Sequence, residues 1–283
     1  MFELIHAERE SFPVASSCRI LGVSRSGYYK WRKAQRPARK KADARLAAEV
    51  TAIHREHKGR YGSPRIHREL RARGIRVARK RVARLMREHG IRGWVKRRFK
   101  RTTDSRHTYR IAPNLLERDF TADARDRVWA GDITYVPTRD GWLYLAVLLD
   151  LFSRRVVGWS MSDTIDTELT LGALEMAISN RRPPPGLIHH TDRDCRYASD
   201  DYQAAIREHG IIPSMSRKGD CWDNSVSESF FATLEKELLD PTPLSSRSKT
   251  REAVADYIEG YYNSTRRHSY IQYRTPLEFE LTA

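Results

Sequence analysis

The sequence predicts two parts of different fold class: an all-α region, followed by an α/β domain with a mixed five-stranded sheet and helices. The first observation is the hydrophobic pattern. Up to residue 90, apolar residues recur every three or four positions, which is typical of helices; from Val128, runs of β-branched and aromatic residues are typical of strands. The second is charge: residues 1–112 contain 32 Lys and Arg against 9 Asp and Glu, whereas residues 113–283 contain 20 against 27. We therefore expect domains at 1–112, 113–240 and 241–283, the last a helical extension of the second.

The N-terminal part is predicted to contain short helices separated by glycine and proline signals. Residues 14–32 are expected to form two helices around a turn, since Gly22 ends the first and Ser24 is placed to cap the second. A basic linker at residues 36–41 then leads to three further helices, of which the second begins with Ser63 as its N-cap. Their apolar positions are Leu46, Val50, Ile53, Ile66, Leu70, Val82, Leu85 and Met86. Short helices joined by a glycine-containing turn have the outline of a helix-turn-helix.

The charge of this region indicates a polyanionic partner. The whole chain has a formal net charge of +16 and a pI of about 10.0, and the excess lies in the N-terminal part. Cations at this density repel one another, and a phosphate backbone relieves that repulsion. The expected phosphate contacts are Arg25, Lys30, Arg79, Lys80 and Arg84. The alternative is a basic helix bundle whose charges are only solvated.

Several classes of protein are excluded by the sequence. The N-terminal residues do not have the pattern of a signal peptide, and the longest apolar run, residues 143–149, is too short to span a bilayer. Cys18, Cys195 and Cys221 lie too far apart for a disulfide framework or a paired-cysteine metal site. We expect a protein of the cytoplasm, associated with the nucleoid and without a membrane partner.

From Val128 the pattern predicts alternating strands and helices. The expected strands are 128–136, 141–150, 154–161, 187–190 and 211–215, and the expected helices are 166–180, 199–209, 223–239 and 250–262. The first three strands are joined by short loops and are therefore expected to be antiparallel neighbours. Three antiparallel strands followed by helix, strand, helix, strand and helix is the order of a ribonuclease-H-like fold.

Three carboxylates are expected to meet on that fold. Asp132 lies in the first strand, Asp192 follows the fourth, and Glu228 lies on the helix after the fifth. Acids so close together repel one another unless divalent cations are bound between them, and hard Mg²⁺ suits carboxylate and phosphate oxygens. Asp150, Asp163 and Asp194 lie equally near strand ends, so position alone does not select the three.

The motifs of the chain resemble those of one known family. In the second part they are WAGDITYVPT (129–138), WLYLAVLLDLFSRRVVGW (142–159), HHTDR (189–193), SMSRKGDCWDN (214–224), ESFFATL (228–234) and YNSTRRH (262–268). In the first part they are FPV (12–14), CRILGVSRSGYYKW (18–31) and RYGSPRI (60–66). Together with the 35 residues between Asp192 and Glu228, they make the chain similar to the OrfB transposases of the IS3 family of bacterial insertion sequences, within the DDE transposases and retroviral-type integrases.

The resemblance implies an enzyme and its site. Asp132, Asp192 and Glu228 would be the catalytic residues and the ligands of two Mg²⁺ or Mn²⁺ ions. Water would attack at a transposon end, and the freed 3′-hydroxyl would then attack another phosphodiester. The implied partners are double-stranded DNA of the transposon ends and target, further copies of the chain on that DNA, and an upstream OrfA product, separate or fused.

Two basic segments near these acids are expected to contact DNA phosphates. One is the loop 216–219 with Arg217 and Lys218, and the other contains Arg267 between Arg266 and His268. An ordinary surface role is the alternative for both.

The sequence also departs from the family pattern at three positions. Asp194 and Arg196 stand where the family usually has Gly and Gln, and Glu235 stands where it favours Lys. These departures leave open a non-catalytic DNA-binding regulator or a decayed transposase copy. A ribonuclease-H-like nuclease without joining activity is a third reading, which the long basic N-terminal part disfavours.

Overall fold

The computed structural model describes residues 1–93, 108–217, 221–241 and 245–283, with the side chains of 34–39, 221 and 222 left undescribed. The chain divides into two compact units, Met1–Trp94 and Val95–Ala283. We call the first the helical unit and the second the sheet unit, and describe each separately. Among the described residues, no helix combines the length and the apolar character that crossing a membrane requires.

The helical unit contains five α-helices in its described residues. They are α1 (Phe2–Ala7), α2 (Val14–Ile20), α3 (Arg25–Glu56), α4 (Ser63–Ala72) and α5 (Arg79–Glu88). As expected, Gly22 follows α2 with φ +64° and the Ser24 hydroxyl caps α3 by accepting from the Gly27 N–H. The linker expected at 36–41 is wrong, because α3 continues through it for 32 residues. Pro37 disfavours a helix interior, but the Ala, Arg and Lys residues around it are strong helix formers and continue α3 on both sides.

The helix pair α4 and α5 packs against α3. The expected apolar positions are buried: Leu46, Val50, Ile53, Ile66, Leu70, Val82, Leu85 and Met86. Helix α4 begins one residue earlier than expected, with Gly62 rather than Ser63 at the N-cap. The periodicity therefore predicted this core correctly, and only the boundary was wrong.

The sheet unit contains a five-stranded sheet in the order β3-β2-β1-β4-β5. Its strands are β1 (Val128–Thr138), β2 (Gly141–Asp150), β3 (Val156–Ser162), β4 (Ile188–Thr191) and β5 (Ile212–Met215). The pairs β1–β2 and β2–β3 are antiparallel, whereas β1–β4 and β4–β5 are parallel. This is the predicted mixed sheet, with β1 and β4 as neighbours.

Helices cover both faces of that sheet. They are α6 (Thr167–Arg181), α7 (Cys195–Ala198), α8 (Asp200–Glu208), α9 (Ser225–Leu234), α10 (Arg247–Ala255) and α11 (Pro276–Thr282). A 3₁₀ turn at Cys221–Asn224 precedes α9, and π-helical turns at Glu235–Leu239 and Asp256–Asn263 extend α9 and α10. The short helices α7 and α11 were not expected.

The two faces have separate apolar cores. On one face, Ile133, Ala146 and Leu148 pack with α6 and α8. On the other, Val136 and Val147 pack with α9 and α10. Gly158 in β3 allows α6 to approach, since a Cβ there would collide with the Ala173 carbonyl oxygen. The second face is the one that positions the candidate site.

Candidate active site

Asp132 lies in the middle of β1, on the sheet face covered by α9. Residues of a strand alternate between faces, so Asp132 shares its face with Val136, which packs against α9. It pairs across the sheet with Val147, and its Oδ1 accepts a hydrogen bond from the Ile133 N–H at 2.8 Å. A carboxylate is therefore fixed in the central strand, part of its surface still exposed.

Asp192 and Glu228 approach the same region from two other elements. Asp192 follows the last residue of β4, the parallel neighbour of β1, and its Oδ1 accepts from the Asp194 N–H at 3.0 Å. Glu228 is the fourth residue of α9, whose buried side chains Phe230 and Phe231 hold the helix against the second core. Helix α9 also contacts β1 directly. Both residues are half-buried.

The pKa of Asp132 reflects its proximity to these other acids. Its pKa is raised well above the ordinary range of a carboxyl, first by burial, next by the charge of Asp192, and further by Glu228 and Asp194. Like charges near a carboxylate disfavour its ionised form. The structure thus brings the three expected residues together as electrostatic neighbours, with Asp194 as a fourth acid.

The acids are not yet arranged as a metal centre. Within the described ranges, no group of three or more His, Cys, Asp or Glu side chains is close enough to hold a metal ion. The donor set nevertheless fits a hard divalent cation, because carboxylate oxygens are the ligands that Mg²⁺ and Mn²⁺ prefer. A bound cation would also relieve the repulsion that raises the pKa of Asp132.

Asp150, the main competitor at a strand end, has a structural role. It is fully buried at the end of β2, and its carboxylate accepts hydrogen bonds from the backbone N–H groups of Asp126, Phe152 and Ser153 at 2.7–3.0 Å. The bonds from Phe152 and Ser153 close the turn that leads to β3, and the bond from Asp126 ties the segment before β1 to the end of β2. Burial raises the pKa of Asp150, and Asp126 and Glu280 add to that effect.

The two unusual residues beside Asp192 pair with each other. Asp194 and Arg196 are both buried, and the Arg196 Nε lies 3.0 Å from Asp194 Oδ1. Asp194 has φ −71° and caps α7 by accepting from the Arg196 N–H, so the position does not require the backbone freedom of glycine. The extra negative charge is thus accompanied by a positive one.

The expected phosphate contacts near the acids have mixed environments. Arg217 is about half exposed, and its guanidinium donates to the buried Asp223 carboxylate at 2.8 and 2.9 Å. Arg267 is half-buried and donates to the Tyr273 carbonyl at 3.0 Å. Lys218 lies outside the described residues.

Arg266, expected to contact phosphate beside Arg267, is buried instead. Its guanidinium donates three hydrogen bonds of 2.9–3.1 Å to the Glu237 carboxylate. His268 is buried next to it, with 9% of its surface exposed. The expectation for these two residues is therefore wrong, because their side chains face the interior of the unit.

In the helical unit, most of the expected phosphate contacts are exposed. Arg25 and Lys30 lie on the first turns of α3, and Arg79 and Lys80 open α5. Arg84 is only half exposed, because its guanidinium pairs with Asp43 at 2.7 Å and Glu88 at 2.8 Å. Burial acts to raise the pKa of Asp43, but Arg84 and Arg81 outweigh it and lower that pKa.

One buried acid was not assigned a role from the sequence. Asp223 precedes α9, and its carboxylate accepts five hydrogen bonds from Arg217, Arg118 and Asn114. The available signal was its place in the motif SMSRKGDCWDN, five residues before Glu228. Its partners Asn114 and Arg118 lie 109 and 105 residues earlier, where the sequence offered no signal.

Family models match both units. A model described as an HTH-like domain matches residues 41–99, and two models described as integrase core domains match residues 122–221 and 209–276. These matches agree with the helix pair in the helical unit and with the mixed sheet that positions the acids.

Curated relatives cover nearly the whole chain. The transposase InsF for insertion sequence IS3A of Escherichia coli is 41% identical over 281 residues, 99% of this chain and 98% of that protein. The insertion element IS600 uncharacterized 31 kDa protein of Shigella sonnei is 42% identical over 262 residues, 93% of this chain and 96% of that protein.

Solved structures are more distant in sequence. A chain of the simian T-cell lymphotropic virus intasome is 16% identical with a TM-score of 0.47, over 83% of this chain and 75% of that chain. The HTLV-2 integrase catalytic core domain in complex with magnesium is 21% identical with a TM-score of 0.42, over 57% of this chain and 99% of that chain.

Proposed function

This chain belongs to the IS3 family of insertion-sequence transposases, and we propose that Asp132, Asp192 and Glu228 are the carboxylates with which it cleaves and joins DNA. One observation carries the assignment: the pKa of Asp132 is raised by burial and then by Asp192 and Glu228, which lie 60 and 96 positions away. Three acids from separate elements are therefore near enough to influence one another's charge despite their repulsion. Such an arrangement is typical of a site completed by cations.

The three carboxylates would hold two Mg²⁺ or Mn²⁺ ions. When bound, the ions supply activation of the attacking oxygen and stabilisation of the leaving oxygen at phosphorus. The protein itself fixes Asp132 in the central strand and Glu228 on a helix packed across it. Because the same acids serve water and a DNA 3′-hydroxyl, cleavage at an element end and strand transfer to a target use one site. Neither step requires a covalent bond between protein and DNA.

DNA would be held by both units. We assign DNA binding to residues 1–112, through phosphate contacts of Arg25, Lys30, Arg79, Lys80 and Arg84. We assign DNA cleavage to residues 113–240 with their extension at 241–283. Arg217, Lys218 and Arg267 would contact phosphate near the acids. The working form is a set of copies assembled on DNA in the cytoplasm, at the nucleoid, with an upstream OrfA product as partner or fusion.

The test is a cleavage and joining assay on duplexes that carry the terminal repeats of the element. We expect nicks and joined products that require Mg²⁺ or Mn²⁺, and their loss in Glu228→Gln with DNA binding retained. Equal activity of wild type and Glu228→Gln would reject the catalytic assignment.

A decayed copy is the second candidate, and Glu235 is the residue that favours it. Glu235 is half-buried and begins the π-helical turn after α9, where the family favours a lysine. The pairing of Asp194 with Arg196 argues against decay at the other two departures. If wild type binds the element ends without cutting them and Glu235→Lys cuts, the chain is a decayed copy. Cleavage by wild type excludes this candidate.

A further inference from the structure

The Asp223 carboxylate is a junction of three segments of the sheet unit. Only 1% of Asp223 is exposed, yet its two oxygens accept five hydrogen bonds. Arg217 donates from its backbone N–H and its Nε at 2.9 Å and from its Nη2 at 2.8 Å. Arg118 donates from Nε at 3.1 Å and Asn114 from Nδ2 at 3.0 Å. A buried carboxylate with this many donors stays ionised and is costly to disturb.

The same residue is tied to β4 through its main chain. The His190 Nε2 lies 2.9 Å from the Asp223 carbonyl oxygen, and the His190 Nδ1 lies 2.8 Å from the Ser214 hydroxyl. His190 and Ser214 are paired residues of the neighbouring strands β4 and β5. A backbone carbonyl accepts only, so His190 donates to it from Nε2. The first turn before α9 is thereby fixed to the ends of two strands.

These contacts connect the two candidate acids that lie outside β1. Asp192 lies two residues after His190, and Glu228 lies five residues after Asp223 at the other side of the His190 bond. The path from Asp192 to Glu228 runs through the end of β4, the hydrogen bond from His190 to Asp223, the 3₁₀ turn and the start of α9. Any rotation of α9 about its first turn would change the separation of the two carboxylates. The five bonds to Asp223 oppose that rotation.

We infer that Asp223 is a positioning residue of the transposase site: it anchors the start of α9 and so restrains Glu228 relative to Asp192, which limits how far the two acids must move to bind a metal ion. Asp223 itself touches neither metal nor DNA. Its effect passes through α9, and Arg217 and Arg118 contribute by holding the carboxylate in place. This inference rests on the proposed function of the three acids.

A matched control lies elsewhere in the sheet unit. Glu280 on α11 is also a buried carboxylate held by two arginines, with Arg181 donating at 2.8 and 2.9 Å and Arg155 at 2.8 Å. Its remaining donor is the Ser153 hydroxyl in the turn after β2. Glu280→Gln removes the same charge and breaks a similar set of bonds, but does not act on the start of α9.

The experiment compares Asp223→Asn, Glu280→Gln and Glu228→Gln in the full chain. Three quantities are measured: Mn²⁺ affinity by titration calorimetry, cleavage of element-end DNA, and the midpoint of thermal unfolding. We expect Asp223→Asn to lower Mn²⁺ affinity and cleavage by roughly tenfold or more, since residues that orient metal ligands typically contribute 10–100-fold. Glu280→Gln should lower the midpoint comparably and leave Mn²⁺ affinity within about twofold.

Equal losses of Mn²⁺ affinity in Asp223→Asn and Glu280→Gln would overturn the inference, because both would then report general destabilisation. If Asp223→Asn does not fold, Arg118→Gln replaces it, since Arg118 is about half exposed and supplies one donor. That variant should lose roughly threefold in Mn²⁺ affinity, and an unchanged affinity would reject the positioning role. Failure of the proposed function is seen separately, as Glu228→Gln that cleaves and binds Mn²⁺ like wild type.

Discussion

Two acids of the sheet unit, Asp132 and Asp223, have pKa values displaced in opposite directions. The Arg217 guanidinium lowers the pKa of Asp223 far below its usual range, with further help from Arg118. Burial raises the pKa of Asp132, and the charges of Asp192, Glu228 and Asp194 raise it further. Asp223 is surrounded by hydrogen-bond donors, whereas Asp132 is surrounded by other acids.

Two other buried acids of the unit resemble Asp223 in being paired with arginine. Burial acts to raise the pKa of Glu280, but Arg181 and Arg155 outweigh it and lower that pKa. Glu237 is bound by the guanidinium of Arg266. Glu280 and Glu237 are thus paired with arginine, whereas Asp150 is held by backbone N–H groups. Asp132 differs from all three because it lies among Asp192, Glu228 and Asp194. This difference supports the proposal that cations bound from solution balance the negative charge around Asp132.

The largest expected effect separates Asp132 from Asp150, the other aspartate of the central strands. Asp132→Asn should reduce cleavage by roughly a thousandfold, because it removes a carboxylate that we propose binds cations in the transition state. It should leave DNA binding in place. Cleavage rates on element-end DNA, measured with protein in excess, check this.

Asp150→Asn should instead lower the stability of the fold and leave cleavage nearly unchanged. It weakens the bond between the Asp126 N–H and the buried carboxylate, which is 2.7 Å long, and should lower the free energy of unfolding by about 1–3 kcal/mol. Cleavage at a temperature where the variant is folded should stay within about threefold of wild type. A thousandfold loss in Asp150→Asn would show that the wrong aspartate was chosen.

A smaller effect is expected at the Asp194–Arg196 pair. Arg196→Gln leaves a buried carboxylate beside the other acids and should lower the free energy of unfolding, without metal, by roughly 2–3 kcal/mol. Asp194→Asn in the same chain should restore most of it, because the unpaired charge is then gone. Denaturant unfolding of the two single variants and the double variant measures the coupling. Additive losses would mean that the pair does not compensate.

The last effect appears only on acidification and concerns His189, whose buried imidazole is shifted toward its neutral form, as the Asp132 carboxyl is. Burial lowers the pKa of His189 to about 4, and the unfolded chain titrates near 6.5. Between these values the unfolded state binds a proton that the folded state does not. The contribution of His189 is therefore complete above pH 6.5 and is lost as the pH falls, at up to about 1.4 kcal/mol per pH unit.

The measurement is the free energy of unfolding of wild type and His189→Gln between pH 7 and pH 4.5. Carboxyl groups titrate in both proteins, so the difference between the two slopes of unfolding free energy against pH isolates the contribution of His189. The His189 Nε2 lies 2.7 Å from the Tyr202 hydroxyl oxygen. We expect the wild-type curve to fall more steeply. Parallel curves would contradict the assignment of a neutral buried His189.

Much of the sheet unit could be predicted because its signals are local. The apolar runs of β1 and β2 and the short loop at Arg139 and Asp140 indicated antiparallel neighbours, and the Asp166 cap of α6 was expected. The candidate acids came from the order of strands together with motifs that resemble a known family. Asp132 and Asp192 could be placed because β1 and β4 are neighbours in that order.

What could not be predicted depends on contacts between distant residues or on competing local signals. Pro37 and a run of cations suggested a linker, whereas the helix-forming residues around them continue α3. Arg266 was expected at the surface, because nothing local showed that Glu237 would lie opposite it, 29 residues away. Asp223 was unassigned for the same reason. Asp194 and Arg196 were noticed as charges, but their pairing depends on the turn that opens α7.

The central claim is that a divalent cation binds among the acids around Asp132 and relieves their repulsion. Thermal unfolding with and without Mn²⁺ tests it most directly. Without metal, Asp132→Asn should unfold at a higher temperature than wild type, because one of the repelling charges is removed. With Mn²⁺ at about 100 times its dissociation constant, wild type should gain roughly 2.7 kcal/mol of stability and overtake the variant. An equal gain in both proteins, or a wild type that is the more stable without metal, would contradict the account.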